Sequence, residues 1–405
     1  DKPMKTTITA LLMCAMFRGA SAQDPVAGVR PFRLGNESPA TFNLILGTQS
    51  FEPAYQFTAK PRLLEAAEVM KELGASVIKF ELASRYARGN GCVPAAMDGI
   101  DSVMKLARDE PTHRAVLDMP FPHVVLWVHT FAPDSANWWH GFPPDRAGAV
   151  YREMYDLTRH LLTRYNGSHR TFYLGHWEGD GLLRGSIAPE NDAKVTDTTA
   201  RGMADWLNAR QRGVEDARRD TPHEQVHVWH YTEVNHVKLA LRENRPAVVN
   251  RVLPLTRVDL VSYSCYDTQM DPAELKAALD YIEKMLPPKP ELTGRRVFIG
   301  EYGFPTSWNS TEEQDTRSRA VMKAGLEWGC PLILYWQLYN NEVTPEGRQR
   351  GFWLIDDQGR RQPIWHTHAR LLKSARDFVD TQARATGAPP TEEDLRAELI
   401  RHLGF

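Results

Sequence analysis

Thr171-Phe-Tyr-Leu-Gly-His-Trp-Glu178-Gly-Asp180 and Val297-Phe-Ile-Gly-Glu301-Tyr-Gly-Phe-Pro305 each run a short apolar stretch directly into a glutamate. Desolvating a carboxylate costs several kcal/mol unless it is paired, so packing gives no reason for an acid at the end of a buried strand. Where such a strand opens onto a cleft, the same residue is placed for acid, base or nucleophile work. Either glutamate alone reads more simply as a surface residue at a strand exit. Their place in the whole strand count decides between the two.

Working outward, strands are expected at Phe42–Gly47, Ser76–Glu81, His123–His129, Thr171–Trp177, Val226–His230, Val258–Tyr263, Val297–Gly300 and Pro331–Trp336. Helical periodicity fills the intervals at Arg62–Leu73, Asp145–Tyr165, Ala200–Arg219, Pro272–Leu286 and Thr311–Trp328, with Gly74 and Gly329 as stops. Eight strands alternating with helices predict α/β architecture, a (β/α)8 TIM barrel as a single catalytic domain over residues 23–380. The rival is an open doubly wound sheet. The first strand-to-helix turn, Leu46 to Pro53, lacks a G-x-G-x-x-G loop, so dinucleotide binding is not expected.

The 405 residues carry a formal net charge of −2, and 42% are hydrophobic. That supports one large core and gives no electrostatic basis for nucleic acid or an anionic membrane as partner. Residues 1–22 read as a cloning remnant, Asp1 to Pro3, then a secretory signal peptide. Its parts are Met4-Lys5, an apolar stretch Ile8 to Phe17, and an A-x-A-like cleavage site at Ala20-Ser-Ala22-Gln23. A tethered N-terminal helix is the alternative. The expected location is therefore secreted or periplasmic, and no other stretch reaches the roughly 18 apolar residues of a membrane span. Cys14 falls in the signal. Cys92, Cys265 and Cys330 match neither a disulfide framework nor a zinc site. Residues 381–405 read as a linker, Ala383 to Pro390, followed by a capped helix from Thr391 to Leu403.

On this count Glu178 ends strand 4 and Glu301 ends strand 7, so both face the C-terminal mouth where barrel active sites lie. Two carboxylates across such a mouth suffice for glycoside hydrolysis: one protonates the leaving oxygen and the other attacks or activates water. A separation of about 5–5.5 Å gives retention and about 6.5–9.5 Å inversion.

With these residues in view, the chain resembles the retaining glycoside hydrolases of clan A, family 5 and its barrel relatives, from roughly Phe42 to Ala375. The resemblance implies Glu178 as acid/base, Glu301 as nucleophile, an oligo- or polysaccharide substrate and no cofactor. His129, closing Val124-Val-Leu-Trp-Val-His129, resembles the strand-3 histidine of many members. Val258-Asp-Leu-Val-Ser-Tyr-Ser-Cys-Tyr266 resembles the segment whose tyrosine contacts the nucleophile, which implicates Tyr266. Trp336, in Leu334-Tyr-Trp-Gln337, matches the strand-8 tryptophan that floors the sugar subsite, and Gly351 to Pro363 resembles the loop beyond it. Three positions depart. Trp177 stands where the clan carries the asparagine that binds the sugar 2-hydroxyl, Ser264 replaces a histidine, and Lys79 replaces an arginine. Lys79 can still pair with Glu301, as a point charge rather than a bidentate fork.

The aromatic distribution agrees with sugar binding. Trp138 and Trp139 follow strand 3, Trp177 precedes Glu178, Trp308 follows strand 7, and Trp336 and Trp353 surround strand 8. Flat rings cover the C–H faces of pyranoses; core or lid packing is the plainer reading for any one of them. His176 is placed to bond a glutamate or a sugar hydroxyl, or to be structural. Asp180 would raise the acid's pKa by repulsion, or simply be solvated. Glu81, Arg85, Glu233 and Asp267 also sit near strand ends, and Glu233 is the substitute acid if the count is off by one. Two other classes remain. A metal-dependent hydrolase would use His129, His140, His176 and His230, although neither H-x-H on strand 1 nor H-E-x-x-H occurs. The other is a sugar-binding barrel without catalysis.

Overall fold

A computed structural model describes residues 38–91, 99–132, 138–186 and 188–404. Its strands are β1 (Leu46–Gln49), β2 (Val77–Leu82), β3 (His123–Val128), β4 (Arg170–Gly175), β5 (Val226–Val234), β6 (Leu260–Ser264), β7 (Val297–Tyr302) and β8 (Ile333–Tyr335). Neighbours pair in parallel around a closed ring, and β8 returns to β1 through Leu46 opposite Ile333. That pairing rules out the open sheet. The helices are α1 (Arg62–Glu72), α2 (Tyr86–Asn90), α3 (Val103–Asp109), α4 (Pro111–Asp118), α5 (Pro144–Arg164), α6 (Gly179–Arg184), α7 (Asp197–Asp220), α8 (Val237–Glu243), α9 (Pro272–Met285), α10 (Thr311–Trp328), α11 (Pro363–Thr386) and α12 (Glu392–His402).

Successive side chains of a strand face opposite ways, and the core divides accordingly. Ile78, Phe80, Val124, Leu126, Phe172 and Leu174 face outward and pack with helical residues such as Met70, Leu161 and Leu207. Val77, Val125, Tyr173, Tyr231, Leu260, Phe298 and Leu334 face inward and fill the barrel. Continuing the inward parity toward the C-terminal ends brings Lys79 and Glu81 on β2, Trp127 on β3 and Glu233 on β5 to the mouth.

Several boundaries differ from expectation, and three of them bear on the barrel strands near the site. β1 begins at Leu46 because Asn43 accepts the Ile45 amide at 2.9 Å and donates to the Pro331 carbonyl at 2.7 Å. Ile45 there takes a left-handed φ of 68°, which delays entry into the sheet. β5 runs on to Val234, so Glu233 lies inside the strand rather than beyond it. β4 stops at Gly175, so Glu178 is the residue that opens α6 and not the end of the strand. The helix α11 continues through Thr386, into the stretch expected as a linker, and α12 buries Leu395 and Leu399 in the outer core. Cys265 and Cys330 are buried free thiols, and Cys14, Cys92 and the expected signal peptide lie outside the described residues.

Candidate active site

A cavity of about 400 Å³ opens at the C-terminal mouth, and both Glu178 and Glu301 line it. Five carboxylates and one guanidinium line it among the described residues: Glu52, Glu81, Glu178, Glu301 and Glu342 against Arg85. Arg85 is already committed, 3.2 Å from Glu81 and 3.5 Å from Glu52.

Glu301 reaches the cavity through a bulge in β7. Ser262 pairs Phe298 and Tyr263 pairs Ile299, but Ser264 pairs Glu301, so Gly300 is the extra residue. An added residue flips the parity that follows it, turning Glu301 inward and Tyr302 into the outer core. Gly300 suits the crowded position, since a Cβ there would stand 1.8 Å from the Ser262 hydroxyl. The Gly300 carbonyl accepts from Lys79 at 3.1 Å and from Gln49 at 3.2 Å. Lys79, fully buried, also donates to Glu301 at 3.3 Å, and the Tyr266 hydroxyl donates to the other Glu301 oxygen at 3.1 Å. Lys79 thus lies where the sequence expected a point-charge partner.

Glu178 is held differently. Its backbone is left-handed, φ 37°, and its amide donates to the Glu233 carboxylate at 2.9 Å. Gly179 passes so close to β5 that a Cβ would meet the Glu233 carbonyl at 2.2 Å. His176 secures the same turn: its Nε2 faces the Thr232 hydroxyl at 2.8 Å and the Glu233 amide at 3.4 Å, and its Nδ1 faces the Trp177 carbonyl at 3.2 Å. That network assigns a neutral ring with the proton on Nδ1. Asp180 accepts the Asn235 amide at 2.9 Å, the Val248 amide at 2.9 Å and Arg184 at 2.7 Å.

The electrostatics of the two glutamates differ. Burial pushes Glu178 up to about 7, with the charges of Glu233, Glu342 and Asp180 adding to the rise. No hydrogen bond reaches its carboxylate among the described residues. Burial also drives Glu301 upward; Lys79 opposes this, and the charges of Glu233 and Glu178 reinforce it. Like charges this close cannot all ionise freely, so the group titrates as a unit. Within that unit Glu301 has two donors, Lys79 and Tyr266, that stabilise a negative charge, and Glu178 has none among the described residues.

Aromatic rings build the floor. Phe51 lies 3.8 Å from Trp127 and 5.5 Å from Trp336 between ring centroids, and Trp177 leans on Trp127 at 6.1 Å. Trp336 and Tyr266 line the cavity as the resemblance implied, and Trp177 stands half-exposed at its edge. His129 and His176 are not in the lining. β3 ends at Val128, and both rings are buried, where desolvation first and Arg210 next press them down to about 3. Both were expected among the sugar-binding residues; His176 has the outward parity of Leu174 on β4, whereas His129 lies past the last residue of β3, where strand alternation no longer holds. The Trp138 side chain lies outside the described residues, Trp139 and Trp308 are exposed, and His230 bonds Arg210 and Gln211 behind the barrel. No group of three His, Cys, Asp or Glu among the described residues is arranged to hold a metal ion.

Phe51, Glu52, Trp127, Asn341 and Glu342 were not singled out by the sequence. Trp127 was recoverable, since it shares the parity of Val125 on β3. Phe51, Asn341 and Glu342 sit on loops, where no periodicity says which side chains turn inward.

No family model matches the sequence, and a search of curated proteins finds no match. Solved structures match in fold. A GH5_18 protein from Bifidobacterium longum subsp. infantis aligns over 89% of this chain and 94% of its own, with 14% identity and a TM-score of 0.53. A GH5_18 protein from Bifidobacterium longum subsp. longum, in complex with Manb1-4GlcNAc, aligns over 85% and 79%, with 14% identity and a TM-score of 0.52. A GH5 xyloglucan-specific endo-beta-1,4-glucanase from a metagenomic library, in complex with cellotriose, aligns over 82% and 97%, with 13% identity and a TM-score of 0.50. The chain therefore shares the barrel of these family 5 structures.

Proposed function

We propose that this chain is an exported glycoside hydrolase that cleaves a β-linked glycan with retention, Glu301 acting as nucleophile and Glu178 as acid and then base. The observation that carries it is the asymmetry of two glutamates on one aromatic-floored cavity. Glu301 is held by a lysine and a phenol, while Glu178, pushed up to about 7, has neither. In the first step the Glu301 carboxylate attacks the anomeric carbon and Glu178 gives its proton to the leaving oxygen. In the second, Glu178 takes a proton from water, which displaces Glu301 and regenerates both groups. A sugar-binding barrel without catalysis is less well supported, because buried carboxylates cost several kcal/mol each and stacking on rings needs none of them.

The substrate is a neutral glycan. With five lining carboxylates and Arg85 already paired, a sugar bearing its own carboxylate meets repulsion in a cavity with no free guanidinium in its described lining. Sharing a barrel with structures that hold Manb1-4GlcNAc and cellotriose agrees with an oligosaccharide partner. Export rests on the apolar stretch before the Ala20-Ser-Ala22 site. The test is hydrolysis across a panel of aryl β-glycosides and soluble β-glycans. Turnover of neutral members with β-glucuronides refused is the expected result. No turnover of any member would remove the proposal, and preference for a uronide would remove its charge argument.

A further inference from the structure

We infer that Glu233 is a third functional carboxylate, a positioning residue that fixes the Glu178 turn and couples Glu178 to Lys79 and Glu301. The inference rests on the glycosidase reading for its kinetic arm alone. Glu233 is fully buried on β5, below both glutamates. One of its oxygens accepts the Glu178 amide at 2.9 Å. The other faces the Trp127 indole N–H at 3.2 Å, the Ser262 hydroxyl at 3.5 Å and the Lys79 ammonium at 3.6 Å. Glu233 is fully buried and absent from the cavity lining, so it is placed to position Glu178 rather than to meet the substrate.

Three features of the site are gathered around it. Glu178 is a non-glycine residue at φ 37°, a conformation that persists where surroundings fix it, and Glu233 is what its amide grips. Gly179 lacks a side chain where one would strike the Glu233 carbonyl, 2.2 Å from an added Cβ. Lys79 stands between two acids, 3.3 Å from Glu301 and 3.6 Å from Glu233, so it cannot neutralise both. Facing Glu178, Glu233 adds to the repulsion from Glu342 and Asp180 and favours the protonated form that a general acid needs.

The test uses the full chain with two variants, Glu233→Gln and Glu233→Asp. Titration of glutamate side chains by 13C NMR, with the Glu178 signal assigned by its loss in Glu178→Gln, needs no substrate. In Glu233→Gln the Glu178 midpoint should fall by about one unit, because a neighbouring charge has gone. In Glu233→Asp it should stay close to wild type, since the charge remains. In kinetics on the best neutral substrate, both variants should lose about 10–100-fold in kcat with KM little changed, as a shifted Glu178 turn misplaces the acid. The high-pH limb should move down in Glu233→Gln alone. An unmoved Glu178 midpoint in Glu233→Gln overturns the inference. So does restoration of Glu233→Gln by azide as a glycosyl azide, which would make Glu233 the acid itself. Should wild type hydrolyse nothing, the glycosidase reading fails while the NMR arm still decides this one; should Glu233→Gln not fold, Glu233→Asp decides by its kcat loss, near-normal kcat overturning the positioning role.

Discussion

Glu178 and Glu301 occupy one cavity but live in different company, and the proposed division of roles rests on that difference. A protonated acid at neutral pH needs burial and like charge, and Glu178 has both; a nucleophile needs donors, and Glu301 has Lys79 and Tyr266. Replacing Glu178 by alanine should therefore spare a substrate with a good leaving group and cripple one with a poor leaving group, by about 10²–10⁴-fold. Azide should restore turnover of the activated substrate as the β-glycosyl azide. Equal losses on both substrates, measured as kcat/KM, would transfer the acid's role elsewhere. Both glutamates were legible in the sequence because each interrupts an apolar run. The placement of His129 and His176 was not, since a residue just past a strand end can turn either way, and these two are buried away from the cavity, within the field of Arg210.

The elements place these residues through small departures from regularity. The β7 bulge at Gly300 sets which way Glu301 points, and the extra length of β5 puts Glu233 beneath Glu178. A methyl group at Gly300 would meet the Ser262 hydroxyl at 1.8 Å. Gly300→Ala should lower stability by about 1–3 kcal/mol, the cost of overpacking a filled core, and lower kcat by rotating Glu301. Adding Ser262→Ala should recover part of both losses, measured by chemical unfolding and by turnover. A double variant no better than Gly300→Ala would show that this contact does not set the bulge. Strand alternation and helix periodicity made the eight-strand count readable, with ends off by a few residues. A bulge leaves no such mark: Phe-Ile-Gly-Glu-Tyr reads as an ordinary strand end, and the extra residue exists only by comparison with the neighbouring strands.

Across the whole molecule, the site carries a stability cost that varies with pH. Glu178 rises from the ordinary carboxyl value of 4.5 to about 7 on folding, so between those values the folded state binds more protons than the unfolded one. Its contribution is present at low pH and lost as pH rises through about 7. His129 and His176 act oppositely, since burial lowers them from 6.5 to about 3, and their contribution is gained as pH rises between those values. Glu178→Gln removes the first effect and leaves the second. Its melting temperature relative to wild type should therefore climb as pH goes from about 5 to about 8. A difference that stays constant with pH would mean that Glu178 is not held in its protonated form. The central claim, a covalent step at Glu301 inside this barrel, has a more direct measurement. A 2-deoxy-2-fluoro derivative of the best neutral aryl β-glycoside should accumulate as a glycosyl-enzyme, with one sugar mass on the peptide containing Glu301. A label on Glu178 or Glu233, or no label together with a first product of inverted configuration, would contradict it.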